Sequence, residues 1–420
     1  MIHKGVMKNI LLACGLLAGA TQALEVHEWG TFTVLSGSGG SQVLWYASTG
    51  DIARLPAFVH PGAFFGGKSL ARNRIRMETP VIYFYPEKPM PVSVEAVFAE
   101  GQVTETFPYS PSDLLTVLPD GRLTNKATWK GRLLPPTDKA ALARIPTIPV
   151  ANHEEPYGAA REVPDAWIFE SDVKQIPGRK EPLTVPETEK FIFYRGAGDA
   201  YLPISASIRG ADVAISNNSP GPMEFATVLR VRGGKAAWVA LPRVSTCLVD
   251  GKPANNTALV SLPTPDRSLD EVESELAAAW KSALAEDGLT AAEASAMVET
   301  WRKTWFREEG DRVLTLVPRA TIDQMLTLKI TPEPAKIERV FVARVEMISP
   351  EREQALVRIL NSTSKCDRTQ VAELEGLGFG RFVNGAVEIA TQVQTSNMRQ
   401  KYFDLIQLKA RTPESGLGRN

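Results

Sequence analysis

LEVHEWGTFTVLSGSGG, Leu24 to Gly40, is the stretch whose reading decides the fold. Its first half alternates as a β-strand does: Val26, Glu28, Gly30, Phe32 and Val34 share one face, and His27, Trp29, Thr31 and Thr33 share the other. The first face is apolar except at Glu28. A carboxylate buried there without a partner is costly, so the pattern predicts a cation, hydrogen-bond donors or a proton on Glu28. Gly30 has no side chain to block that face and admits the approach of another chain or a ligand. The run containing Ser36, Ser38 and Ser41 reads as a flexible loop, with a lid over a site as the alternative.

The same conflict recurs in RIRMETPVIYFY, Arg74 to Tyr85. Strict alternation sets Arg76 and Glu78 beside Ile82 and Phe84, with Met77, Thr79, Val81 and Tyr83 opposite. If the two strands lie close, Glu28 meets a cation there, with Arg76 the first candidate and Arg74 the second. His27, Glu28, Arg76 and Glu78 are therefore the candidate catalytic residues.

Outward from these strands, residues 24–265 read as a β-rich domain. Val81–Tyr85, Val92–Phe98, Val103–Phe107, Lys190–Arg195, Ala226–Val231 and Ala236–Leu241 have strand length and β-branched or aromatic content. Many short strands divided by turns predict an α+β fold with an antiparallel sandwich or barrel-like core. Pro135 to Pro186 is proline-rich and reads as a long excursion over the surface. Residues 266–310 form a helical hairpin, because Ser268-x-x-Glu271 and Thr290-x-x-Glu293 are capping boxes that open helical apolar stripes. The first stripe is Val272, Leu276, Ala279 and Ala283; the second is Ala294, Met297, Val298, Trp301 and Trp305. Residues 311–361 read as strand, strand and helix rejoining a sheet, and 362–420 as a helical C-terminal region with a polar tail.

The N-terminal end has lysines at Lys4 and Lys8, an apolar run from Ile10 to Ala20 and a small residue at Ala23, the form of a secretory signal over residues 1–23. A lipoprotein-type cut at Cys14 is the rival, and Met7 an alternative start. Without that segment the balance is 45 basic against 48 acidic residues, which gives no attraction to nucleic acid. No later apolar run reaches membrane-spanning length. The expected location is periplasmic or extracellular. Of the cysteines, Cys247 and Cys366 then remain, and a disulfide between them or two separate thiols are both open.

Several motifs invite a functional reading. Gly62 to Ser69 matches the phosphate-loop pattern GxxxxGKS, but Leu55–Pro61 makes a poor buried strand and the following residues give no clean apolar helix face. His27, His60 and His153 are weak candidates for a metal site, since HExxH is absent. No GxSxG elbow occurs. Trp29, Trp45 and Tyr46 are the candidates for an aromatic ligand-binding face. No cofactor is implied.

HEWGTFT, RMETPVIYFY, Phe193-Tyr194-Arg195-Gly196 and Leu316-Val317-Pro318-Arg319 together resemble a group of exported bacterial proteins of planctomycete type. That resemblance implies export and a shared architecture; the group has no established activity, so it assigns no catalytic residue. The expected function is binding of an unknown ligand or envelope component. The alternative is a secreted hydrolase or metal-dependent enzyme using the His27–Glu28 region.

Overall fold

A computed structural model describes residues 24–45, 55–61, 73–111, 116–117, 123–124, 126–148, 156–176, 179–241, 243–246, 248–249, 252–253, 257–392 and 396–410. The expected signal segment, the Gly62–Ser69 match, Tyr46, His153 and Cys247 lie outside these residues. The molecule is α+β, with several antiparallel sheets and a helical C-terminal region. The largest sheet is open rather than closed into a barrel: its outermost strands are Arg267–Ser268 and His60–Pro61.

Leu24–Ser36 lies at the centre of this 11-stranded sheet. On one side it pairs antiparallel with Ile75–Pro86, on the other in parallel with Lys336–Met347 over twelve residue pairs. Gly310–Leu316 lies beyond Lys336–Met347, so two strands read as merely rejoining a sheet are central ones. Segments far apart in sequence thus share the largest sheet, to which residues 24–265 and residues 310–347 both contribute strands.

Both faces are covered. Val26, Phe32 and Val34 look toward a five-stranded sheet containing Met90–Phe98 and Lys126–Leu134 and toward a three-stranded sheet of Ile204–Arg209, Asp212–Asn217 and Thr257–Ser261. This is the sandwich core. Trp29 looks the other way, into a second core built with the helical hairpin. A third cluster joins Leu35, Val43 and Trp45 to the C-terminal helices. The alternation read from Leu24–Val34 therefore sorts side chains onto the correct faces.

In Ile75–Pro86 strict alternation fails. The register with Leu24–Ser36 shifts between Trp29 and Thr31, where Thr79 takes the left-handed conformation, φ +47°. One extra residue in a bulge reverses which face the following side chains meet. Met77 joins Ile82 and Phe84 in the sandwich core, while Glu78 turns to the opposite face with Thr33. Gly30 sits at this irregularity because a Cβ there would lie 2.7 Å from the Phe341 ring and 3.2 Å from Pro80 Cα. What approaches Gly30 is the protein's own core. The neighbouring strand Ile192–Gly198 carries its own shift between Phe193 and Gly196. Leu24–Ser36, Ile75–Pro86 and Ile192–Gly198 thus lie side by side, each with an irregularity in its pairing.

The hairpin forms as Leu269–Glu286 and Ala291–Arg302, followed by a π-helical turn over Lys303–Arg307. Thr290 and Glu293 make a complete capping box, but the Ser268 side chain caps nothing. Ser268 still ends the edge strand paired with Lys235. The first helix buries Val272, Leu276, Trp280 and Leu284, leaving Ala279 half-buried. Residues 135–186 are more than a surface excursion: Tyr157, Ala160, Val163 and Ala166 enter the hairpin-side core, and Ile168–Ser171 joins the five-stranded sheet. Residues 37–41 form a tight turn, Gly37 N–H donating to Ser41 O at 3.0 Å, and not a lid.

Candidate functional site

Glu28 is fully buried and answered by two partners. Arg339 Nε donates to Oε2 at 2.6 Å, and the Tyr194 hydroxyl donates to Oε1. Arg339 Nη1 also donates to Asp323 Oδ1 and to Leu326 O, each at 2.7 Å. The expected cation is therefore present, but it is Arg339, which stands directly beside Glu28 in the parallel pairing. Arg76 and Arg74 are elsewhere. Arg74 pairs with Asp199 and lies over the Tyr201 ring, while the Arg76 guanidinium lies 5.3 Å from the Trp45 ring centre.

His27, on the opposite face, meets Glu293, the capping-box glutamate of the second hairpin helix. Nδ1 lies 2.8 Å from Glu293 Oε2, which also accepts from Thr290 N–H at 2.8 Å, and Tyr85 donates to Oε1 at 2.6 Å. Burial pushes the Glu293 carboxyl up, but the His27 contact and charge, Tyr85 and the Thr290 amide outweigh it and hold it below the usual value. An ionised carboxylate only accepts, so Nδ1 carries the proton between them. Nε2 is buried and has no hydrogen-bond partner.

Glu78 completes the set at the far end of the strand. It accepts from Thr33 and from Arg381 Nη1 at 2.7 Å. Burial raises its pKa, yet the Arg381 and Arg76 charges and the two hydrogen bonds bring it down to about 2. Arg344, paired across from Thr33, extends this polar seam to Glu308 at 2.7 Å and Glu346 at 2.9 Å. Of the charged candidates, His27 thus joins the sheet to the hairpin and Glu78 joins it to the C-terminal helices, while Glu28 ties strands of the sheet together.

Trp29 is fully buried, and Trp45, 1% exposed, packs against Phe382. Neither presents an open face. His60 bonds Glu187 at 2.7 Å, away from His27. Among the described residues no group of three His, Cys, Asp or Glu could hold a metal ion. Cys366 is half-buried; its pairing with Cys247 falls outside the described residues.

Open space lies elsewhere: one cleft of about 340 Å³ lies near the start of Lys336–Met347, at Glu338 and Arg339, and another of about 460 Å³ lies beside Gly131, Arg132 and Glu170–Lys174. The Pro220–Glu224 segment, Leu316 to Ala320 and the hairpin turn at Asp287 supply the other walls of the first. Asp287 is half-buried; burial first, then the charges of Glu224 and Glu338, raise its carboxyl to about 6. Sequence reading missed these residues and Arg339. One signal was available for Arg339: Glu338–Met347 carries arginines within an apolar strand, the same anomaly that marks Glu28. Glu224 and Asp287, in turns, gave none.

No family model matches the chain, and no curated protein does. Among solved structures it is similar to the yeast δ-COP-I μ-homology domain complexed with a Dsl1 WxWxV peptide, at 4% identity and a TM-score of 0.24, over 78% of this chain and 96% of that one. Likeness at that level carries no argument about fold or function.

Proposed function

We propose that the protein is an exported binding or envelope-associated module, in which the HEWGTFT stretch is a structural anchor and ligand is met at the cleft beside Glu338 and Arg339. The observation that carries this reading is the contrast in exposure. His27 and Glu28 are 5% and 0% exposed with partners inside the core, whereas the cleft gathers polar groups in the open. Among the described residues no helix is long and apolar enough to cross a membrane.

One observation favours the alternative, a hydrolase using the His27–Glu28 region. Glu293 orients His27 through Nδ1 and leaves Nε2 unpartnered, the polarity of a general base. A base needs an accessible proton to take, and this nitrogen is buried. The two readings separate on His27→Gln in the protein beginning at Leu24, assayed for unfolding midpoint and for hydrolysis of ester, peptide and glycoside probes. The module reading expects a lowered midpoint and no hydrolysis to lose. Hydrolysis by the unsubstituted protein that disappears in His27→Gln at unchanged midpoint would overturn it.

A further inference from the structure

Asp311 gathers more positive charge than one carboxylate can answer. It is fully buried at the start of Gly310–Leu316, and three arginines from two elements converge on it. Arg230 and Arg232 come from the neighbouring strand Ala226–Arg232: Arg230 Nε donates to Oδ1 at 2.8 Å, and Arg232 Nη2 donates to Oδ2. Arg352 comes from the C-terminal helix Pro350–Asn361, and its Nη1 stops 4.0 Å from Oδ2, too far for a hydrogen bond. Both carboxylate oxygens are thus engaged before the third guanidinium arrives.

Arg352 is held in place by other groups. Its Nε donates to Leu377 O at 2.8 Å, and its guanidinium lies 4.6 Å from the Phe379 ring centre. Burial first, then the Arg232 charge, lowers it from 12.5 to about 10 against the attraction of Asp311. Among the described residues no other carboxylate lies within 4.0 Å of the three arginines. Glu346 is engaged by Arg312 and Arg344, and the exposed Glu309 accepts from Gly233 N–H at 2.7 Å. The remaining donors face water: the side chains of Arg230, Arg232 and Arg352 are 25%, 34% and 13% exposed. Arg230 Nη1 and Nη2, Arg232 Nε and Arg352 Nη2 have no acceptor among the described residues, and none of these atoms is enclosed. Arg312, Arg344 and Arg339 differ in this respect, with side chains at 0%, 1% and 2%.

We propose that this cluster binds a phosphate-class oxyanion, free phosphate or a phosphate monoester, against the open sides of Arg230, Arg232 and Arg352. A nitrogen of each lies within 4.0 Å of the same carboxylate, so one small oxyanion can meet more than one of them. A tetrahedral dianion offers several acceptor oxygens and two charges to planar guanidinium donors, whereas a single carboxylate offers half that charge. The site goes beyond the binding-module reading, which places a ligand beside Glu338, and its failure leaves that reading standing.

The test is calorimetric titration at pH 7.5 and constant ionic strength with inorganic phosphate, with acetate, and with vesicles of phosphatidylcholine prepared with and without phosphatidic acid. Phosphate is expected to bind at least tenfold more tightly than acetate. Binding only to vesicles that contain phosphatidic acid would support the same anion site and assign the lipid headgroup as its source. Arg232→Gln and Arg352→Gln, with unchanged circular dichroism, should each weaken binding at least tenfold. Lys329→Gln, at an exposed position on the five-stranded sheet, should leave it unchanged. Should Arg232→Gln fail to fold, Arg352→Gln decides, because it removes no hydrogen bond from Asp311. No binding of phosphate or of phosphatidic acid vesicles, acetate matching phosphate, or full affinity retained in Arg352→Gln would overturn the proposal.

Discussion

Glu78 and Asp287 are carboxylates whose surroundings drive them in opposite directions, so their pH signatures differ in sign. Glu78 falls from 4.5 to about 2. Its contribution to stability is fully present above about pH 4.5 and is lost as pH falls through 2. Glu78→Gln should lower the thermal midpoint at pH 7, and the gap from the unsubstituted protein should narrow below pH 4.5; a gap independent of pH would remove the ion pair as its source. Asp287 rises from 3.8 to about 6, so its charged form weighs against the folded state above that pH. Asp287→Asn should raise the midpoint at pH 7.5 and leave it unchanged near pH 3.5, and a lowered midpoint at pH 7.5 would contradict this. At this scale the sequence marked Glu28 and Glu78 as charges within apolar strands, and both are buried and paired. It did not identify the partners. The left-handed turn at Thr79 reverses the face of Arg76, and threonine gives no local sign of that conformation.

Among the elements, the hairpin and most strands were legible because their signals are local: apolar period, turn residues and capping boxes. The two capping boxes nevertheless differ. Thr290 Oγ1 accepts from Glu293 N–H at 3.2 Å, and the returning carboxylate also ties the helix to His27 and Tyr85. Ser268 makes no cap bond because its backbone is engaged at the sheet edge. Thr290→Ala should therefore destabilise by ~1 kcal/mol. Ser268→Ala should stay within ~0.5 kcal/mol in denaturant unfolding. Equal effects would show that the cap geometry is not the cause. The residues 135–186 escaped sequence reading for a related reason: Tyr157 and Val163 are single apolar side chains in a proline-rich stretch, and what buries them is the hairpin more than 100 residues later.

For the whole molecule, the decisive contact is the parallel pairing of Leu24–Ser36 with Lys336–Met347, which no local pattern announces. Glu28 and Arg339 are 311 residues apart in sequence and adjacent in this pairing, so their ion pair fixes where the two ends of the fold meet. A buried pair of this kind is costly to break by halves and cheap to replace whole, since a single substitution leaves one charge unanswered. The central claim is that the opening stretch anchors the fold, and a double-mutant cycle in denaturant tests it most directly. Glu28→Met and Arg339→Met should each cost ~3 to 5 kcal/mol, and together much less than their sum. Additive losses, or single substitutions that leave stability unchanged, would contradict it.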